Sequence, residues 1–143
     1  MNINHTTKEF IERARVARLA TVNSQSEPHL VPVVFVFDGN YFYIPIDEKR
    51  KTVKPDKLKR VLNIKENPQV ALLIDEYNED WTRLAFVMVQ GKASIVSQVT
   101  EDTRLHEAHK KLMAKYLQYQ KVRLSETCIM IKPEKILSWR NYS

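Results

Sequence analysis

Only two glycines, Gly39 and Gly91, occur in 143 residues. A glycine-rich phosphate loop and a dinucleotide-binding fingerprint are therefore both excluded, because each needs several glycines within one short turn. A single cysteine, Cys128, rules out an intrachain disulfide. Its setting, Thr127-Cys-Ile-Met-Ile131, predicts a small buried side chain rather than a reactive thiol. No apolar run approaches the roughly 20 residues needed to span a bilayer. The first seven residues lack the basic start and apolar stretch of a signal peptide. A cytosolic protein with no membrane partner is expected. Catalytic constellations are also scarce. His106 and His109 stand at i, i+3 with no third ligand nearby, and Ser94, Ser97 and Ser125 lack a nucleophile-elbow setting. Neither a metal centre nor acyl transfer is expected.

What the chain does have is local positive charge. The formal net charge is +6, and Lys49, Arg50, Lys51, Lys54, Lys57, Lys59, Arg60 and Lys65 face only Asp47, Glu48, Asp56 and Glu66 in the same stretch. Cations concentrated where a strand feeds a helix suit an anionic ligand such as a phosphorylated small molecule. A solvated helix face is the plain alternative. Nearby Tyr41, Phe42 and Tyr43 also admit RNA binding through charge and stacking, although nucleic acid is not the expected partner.

Length and a 43% hydrophobic content fit one domain covering residues 1–143. Thr6 and Glu9 can form a capping box ahead of Phe10, Ile11 and Ala14, which predicts a short first helix. Residues 17–22 alternate as a strand, 23–27 are turn-rich, and 28–37 form a long β-branched and aromatic run. Asp38-Gly39-Asn40 reads as a hairpin turn returning through a strand over 41–46. Pro55 suits the first turn of a second helix that Asn67-Pro68 stops, with Leu58, Val61 and Leu62 on its apolar face. Strands follow over 69–74 and 84–96, where Gly91 predicts a bulge or a close backbone approach. Thr100 opens a third helix that buries Leu105, Ala108, Leu112 and Tyr116, and two strands, 127–131 and 136–139, finish the chain. This order predicts a mainly β fold, a closed or split barrel of about six to seven antiparallel strands with helices packed outside.

Particular residues carry a family resemblance. Val16-Ala-Arg-Leu-Ala-Thr-Val22 followed by Pro28-His-Leu-Val-Pro-Val-Val-Phe35 resembles the opening of the pyridoxamine-phosphate-oxidase-like, FMN-binding split barrels. Leu73-Ile-Asp-Glu-Tyr-Asn-Glu-Asp-Trp-Thr-Arg-Leu84, then Val87-Met-Val-Gln-Gly91 and Lys115-Tyr-Leu-Gln-Tyr119, is similar to the branch that uses the deazaflavin coenzyme F-420.

The resemblance implies a deazaflavin-dependent oxidoreductase passing a hydride between the bound coenzyme and a small organic acceptor. An FMN-dependent enzyme, or a flavin or haem carrier without turnover, is the alternative. It also implies a homodimer with cofactor sites at the subunit interface. The ring would lie along the backbone of Val31, Pro32 and Val33 with Tyr43, Ile44 and Pro45. The phosphate would be held by Lys59 and Arg60, with Lys49 and Lys51 as competitors for that role. Counting back from Gly91, Phe86 replaces a ring-contacting glutamine of the oxidases; it cannot donate a hydrogen bond, but could cover a deazaflavin ring. Tyr43 or an ordered water is a candidate proton donor, and Trp81 a candidate wall of the acceptor pocket. No further catalytic residue is assigned, because hydride chemistry is carried by the coenzyme itself.

Overall fold

A computed structural model of the protein describes residues 3–46, 58–97 and 103–141. Along the chain these form α1 (His5–Arg13), β1 (Ala17–Val22), β2 (Pro28–Val33), β3 (Val36–Phe37), β4 (Phe42–Pro45), α2 (Lys59–Glu66), β5 (Gln69–Glu76), β6 (Ala85–Ser97), α3 (Thr103–Lys115) and β7 (Thr127–Arg140). Short 3-10 turns occupy Trp81–Arg83 and Leu117–Gln120. All seven strands join one antiparallel sheet in the order β2-β1-β5-β6-β7-β4-β3. The two edge strands of that order are consecutive in the chain and separated only by Val34 and Phe35. The sheet thus curls until its edges meet without pairing, which is the expected split barrel.

The helix α1 is capped by Asn4, whose Oδ1 accepts from the Thr7 amide at 2.8 Å, and not by the Thr6–Glu9 box. Asn4 wins because it sits in extended backbone, the conformation an N-cap requires, whereas Thr6 already lies inside the helix. Phe10 and Ile11 from α1 and Val61 and Ile64 from α2 enter the main core with Leu19, Phe42, Ile44, Leu72, Val89 and Ile129. The second helix also buries Asn63 completely, and its Nδ2 donates to Thr21 Oγ1 at 3.0 Å; Leu62 faces outward. Sequence periodicity places Leu62 inside. The α2–β1 packing instead selects the polar residue, since its amide finds a partner there.

A smaller core lies on the other face of β4. Val36, Tyr43 and Cys128 pack there against Leu105, Ala108, Leu112, Tyr116 and Tyr119 from α3 and the turn after it. β4 is therefore buried on both faces, which explains its unbroken apolar run. Cys128 is fully buried, as its setting predicts, with His109 Nε2 3.6 Å from its Sγ.

The bulge expected at Gly91 is present: the β6–β7 register shifts between Gln90 and Gly91. A Cβ at Gly91 would run into the Lys132 carbonyl oxygen. The bulge also corrects the end of the chain, because β7 continues as one strand through Pro133 where two are expected. Pro133 stands opposite Gly91, and an irregular ladder position tolerates a residue without an N–H. Conversely, the 28–37 run divides into β2 and β3. Pro55 and Thr100, the expected helix starts, lie outside the described residues. Among the described residues no helix is long and apolar enough to cross a membrane.

Candidate functional site

The division of the 28–37 run creates the most distinctive feature of the fold. Between β2 and β3 the backbone of Phe35 leaves the ladder, and the last residue of α3 and the residue after it satisfy it. Tyr116 Oη accepts from the Phe35 amide at 3.1 Å and donates to the Arg15 carbonyl at 2.9 Å, while Lys115 Nζ donates to the Phe35 carbonyl at 3.0 Å. The Lys115 amine also sits 4.0 Å above the Phe35 ring, and the Arg15 guanidinium lies 5.0 Å above Tyr116. Burial and then the neighbouring Arg15 charge lower the Lys115 pKa to about 8. Burial raises that of Tyr116.

Beside this break a groove of about 220 Å³ is lined by Val16, Pro32, Val33, Val34, Pro45 and Arg60. Two prolines from different strands face it, so this part of the rim carries fewer backbone donors than a normal strand edge. Arg60, half-buried in the first turn of α2, brings the one charge among the described residues of the lining. The N-cap position of that helix, Leu58, supplies no side-chain hydrogen bond. A flat apolar slot with a guanidinium at a helix start is chemically suited to a planar ring bearing an oxyanion.

Of the residues expected to contact the ring, Pro32, Val33 and Pro45 meet in this groove with Arg60. Val31 points inward and packs against the main core. Ile44 is also in that core, and Tyr43 is fully buried in the smaller core under α3. A ring could reach Ile44 and Tyr43 only through backbone atoms. Tyr43, considered as a proton donor, does not line the groove, and its side chain is buried in the smaller core. Lys59 is exposed and does not line the groove; Lys49 and Lys51 lie outside the described residues.

Phe86 is elsewhere. It lies on the outward face of β6 and stacks on Trp139 of β7, with centroids 5.8 Å apart and planes at 25°. Three strand spacings, on the order of 14 Å, separate β6 from β2 across the sheet. Leu73, Met88 and Leu137 align in register beside that stack, and Leu73, Leu137 and Trp139 are all exposed. One outward face of the barrel thus carries an apolar strip, bordered by the Arg18–Asp75 ion pair opposite Leu73 and Phe86. Trp81 is 63% exposed on its 3-10 turn, where its carbonyl accepts from Asn141 Nδ2 at 2.8 Å.

Val16 and Val34 belong to the groove but were not singled out by sequence. Neither carries a chemical signature, since each contributes only apolar surface beside a strand end. The only signal available was the pair Pro32 and Pro45, because proline in a strand marks an edge. Among the described residues, no group of three or more His, Cys, Asp or Glu could hold a metal ion.

Comparison with known proteins agrees with this architecture. HutZ, the haem storage protein of Vibrio cholerae, superposes with a TM-score of 0.71 at 17% identity, covering 98% of this chain and 95% of that one. A conserved hypothetical protein of Mycobacterium tuberculosis gives 0.75 at 20% identity, covering 99% and 86%. An FAD-binding protein of Mesorhizobium loti gives 0.68 at 15% identity, covering 95% and 94%. At these identities the likeness is one of fold. No curated protein matches the sequence. A family model described as pyridoxamine 5'-phosphate oxidase matches residues 3–140, and with its seven-stranded split barrel the chain belongs to that family.

Proposed function

We propose that the protein binds a flavin-type cofactor in the groove between β2, β4 and α2 and acts as an oxidoreductase on a small organic substrate. The supporting observation is the convergence of Pro32, Val33, Pro45 and Arg60 on one slot. The deazaflavin coenzyme F-420 is the first candidate, on the resemblance of residues 73–91, and FMN the second. Either supplies the hydride chemistry when bound. The chain's own residues bind and orient: Val33, Val34 and the two prolines take the flat face, and Arg60 neutralises a phosphate oxygen.

A groove of about 220 Å³ falls below the roughly 300 Å³ at which small-molecule pockets usually begin. A second copy of the chain would complete it. The apolar outward face bearing Leu73, Leu137, Phe86 and Trp139 is the surface we assign to that homodimer, and it offers Phe86 to the partner's ring. Water exclusion from the hydride path then depends on dimerisation.

Haem is a weaker fit. Among the described residues the groove lining contains no His, Cys, Met or Tyr to ligate iron, although a haem storage protein shares the fold.

The test is a parallel absorbance titration of wild type and Arg60→Gln with the deazaflavin coenzyme, FMN and haem. Loss of a charge-assisted hydrogen bond is worth about 1.5–3 kcal/mol, so cofactor affinity should fall roughly 10- to 100-fold in the variant. Equal affinity in both proteins would remove Arg60 from the site. Haem binding without flavin binding would overturn the oxidoreductase reading.

A further inference from the structure

A second cleft, sharing no residue with the groove, lies where α1, the 3-10 turn and the end of β7 meet. Arg13, Arg83 and Arg140 line it together with Glu76 and Thr82, around a volume of about 480 Å³. Each arginine arrives from a different element. Arg13 ends α1, Arg83 ends the turn before β6, and Arg140 ends β7 opposite Ala85.

Two of the three guanidiniums are held against one aromatic ring, Arg13 while also meeting Glu76 at 3.6 Å. The Cζ atoms of Arg13 and Arg140 stand 5.3 and 5.4 Å from the centroid of the buried Phe10 ring. A guanidinium held against an aromatic ring keeps its forked N–H groups available in its own plane. Such pre-organisation reduces the side-chain entropy lost when an oxyanion binds.

The local charge does not balance. Among the described residues Glu76 is the only carboxylate in the lining, 3.6 Å from Arg13, so the described lining carries three cations and one anion, a surplus of two positive charges. Of the neighbouring carboxylates, Asp75 pairs with Arg18 at 3.1 Å, and Asp80, which accepts from the Thr82 amide and hydroxyl, lies outside the lining and offsets part of the Arg83 charge. A further anion placed among the three arginines would be attracted by this surplus. The volume exceeds what an inorganic ion needs and falls in the range of small organic ligands.

We propose that this cleft is a binding site for a small organic dianion whose oxyanion groups, carboxylate or phosphate ester, are gripped by Arg83 and Arg140. It is independent of the cofactor groove. Calorimetric titrations with succinate and with glycerol 3-phosphate, against sodium chloride at matched ionic strength, test it and separate the two sources of charge. Binding of either probe is expected, with Arg83→Gln and Arg140→Gln each weakening it about tenfold or more. Arg83 is exposed, so its variant remains informative if Arg140→Gln fails to fold. Arg60→Gln should bind both probes as wild type does. Loss of probe binding in Arg60→Gln, with retention in Arg83→Gln, would assign the anion to the groove and overturn the proposal. So would heats no larger than those of sodium chloride.

Discussion

Replacing Tyr116 by phenylalanine removes one oxygen at the point where the barrel opens, and the cost can be worked out bond by bond. The hydroxyl accepts from the Phe35 amide and donates to the Arg15 carbonyl. Phe35 is fully buried, so its N–H would have neither the hydroxyl nor bulk water as acceptor, at a cost of about 1–3 kcal/mol. Arg15 is exposed, so its carbonyl can be rehydrated at little cost. The Phe35 carbonyl keeps its bond from Lys115. Packing barely changes, because only one oxygen is lost. The net expectation is roughly 2 kcal/mol, which for a chain of this size lowers Tm by about 5–8 °C. Urea unfolding should report a lower midpoint with an unchanged slope, and amide exchange at Phe35 should accelerate selectively. A change within about 0.5 kcal/mol would refute the argument that Tyr116 holds the strand break.

Gly91→Ala should destabilise the chain by about 1–3 kcal/mol or more, because its Cβ meets the Lys132 backbone and the β6–β7 bulge must shift; urea denaturation measures it. Lys115→Met isolates a pH effect. The folded-state pKa of Lys115 is lowered to about 8, so the unfolded chain binds more protons between that value and the ordinary lysine range near about 10.4. Wild-type stability relative to Lys115→Met should therefore rise as pH climbs from about 8 towards 10, and unfolding midpoints that stay parallel across that window would sink the assignment.

The sheet was largely legible in the sequence because one face of each long strand is buried. Alternation in β1 and β6, the turn at Asp38-Gly39-Asn40 and the bulge at Gly91 are local signals. Gly39 takes a φ of 98°, and Asp38 Oδ1 accepts from the amides of Asn40 and Tyr41. What was not legible depended on distant partners. The break after Val33 falls in Val-Val-Phe-Val-Phe, a run with every local reason to continue as a strand; it ends because Tyr116 and Lys115, some 80 residues on, take over the hydrogen bonds of Phe35. Leu62 and Asn63 exchanged places for a similar reason, since the Thr21 hydroxyl is visible to Asn63 only in the folded chain.

The same distinction separates the two kinds of site. The groove was reachable from sequence only through the family resemblance, which named Pro32, Val33, Pro45 and Arg60; the strand prolines and the cation early in α2 are local features consistent with it. Phe86 was placed by counting along one strand, but strand order sets β6 three strands from β2 and two from β4, and within one chain Phe86 does not line the groove. Distance along the chain cannot report that. The arginine cleft left no local trace at all: Arg13, Arg83 and Arg140 are separated by about 60 residues or more, and each alone reads as a solvated surface cation. Only the Phe10 ring, buried with guanidiniums 5.3 and 5.4 Å from its centroid, makes two of them one unit. A charge cluster that is contiguous in sequence, like 49–65, need not act together, whereas one assembled by the fold around a rigid ring has been positioned. For that reason the scattered arginines make the stronger case for a second ligand.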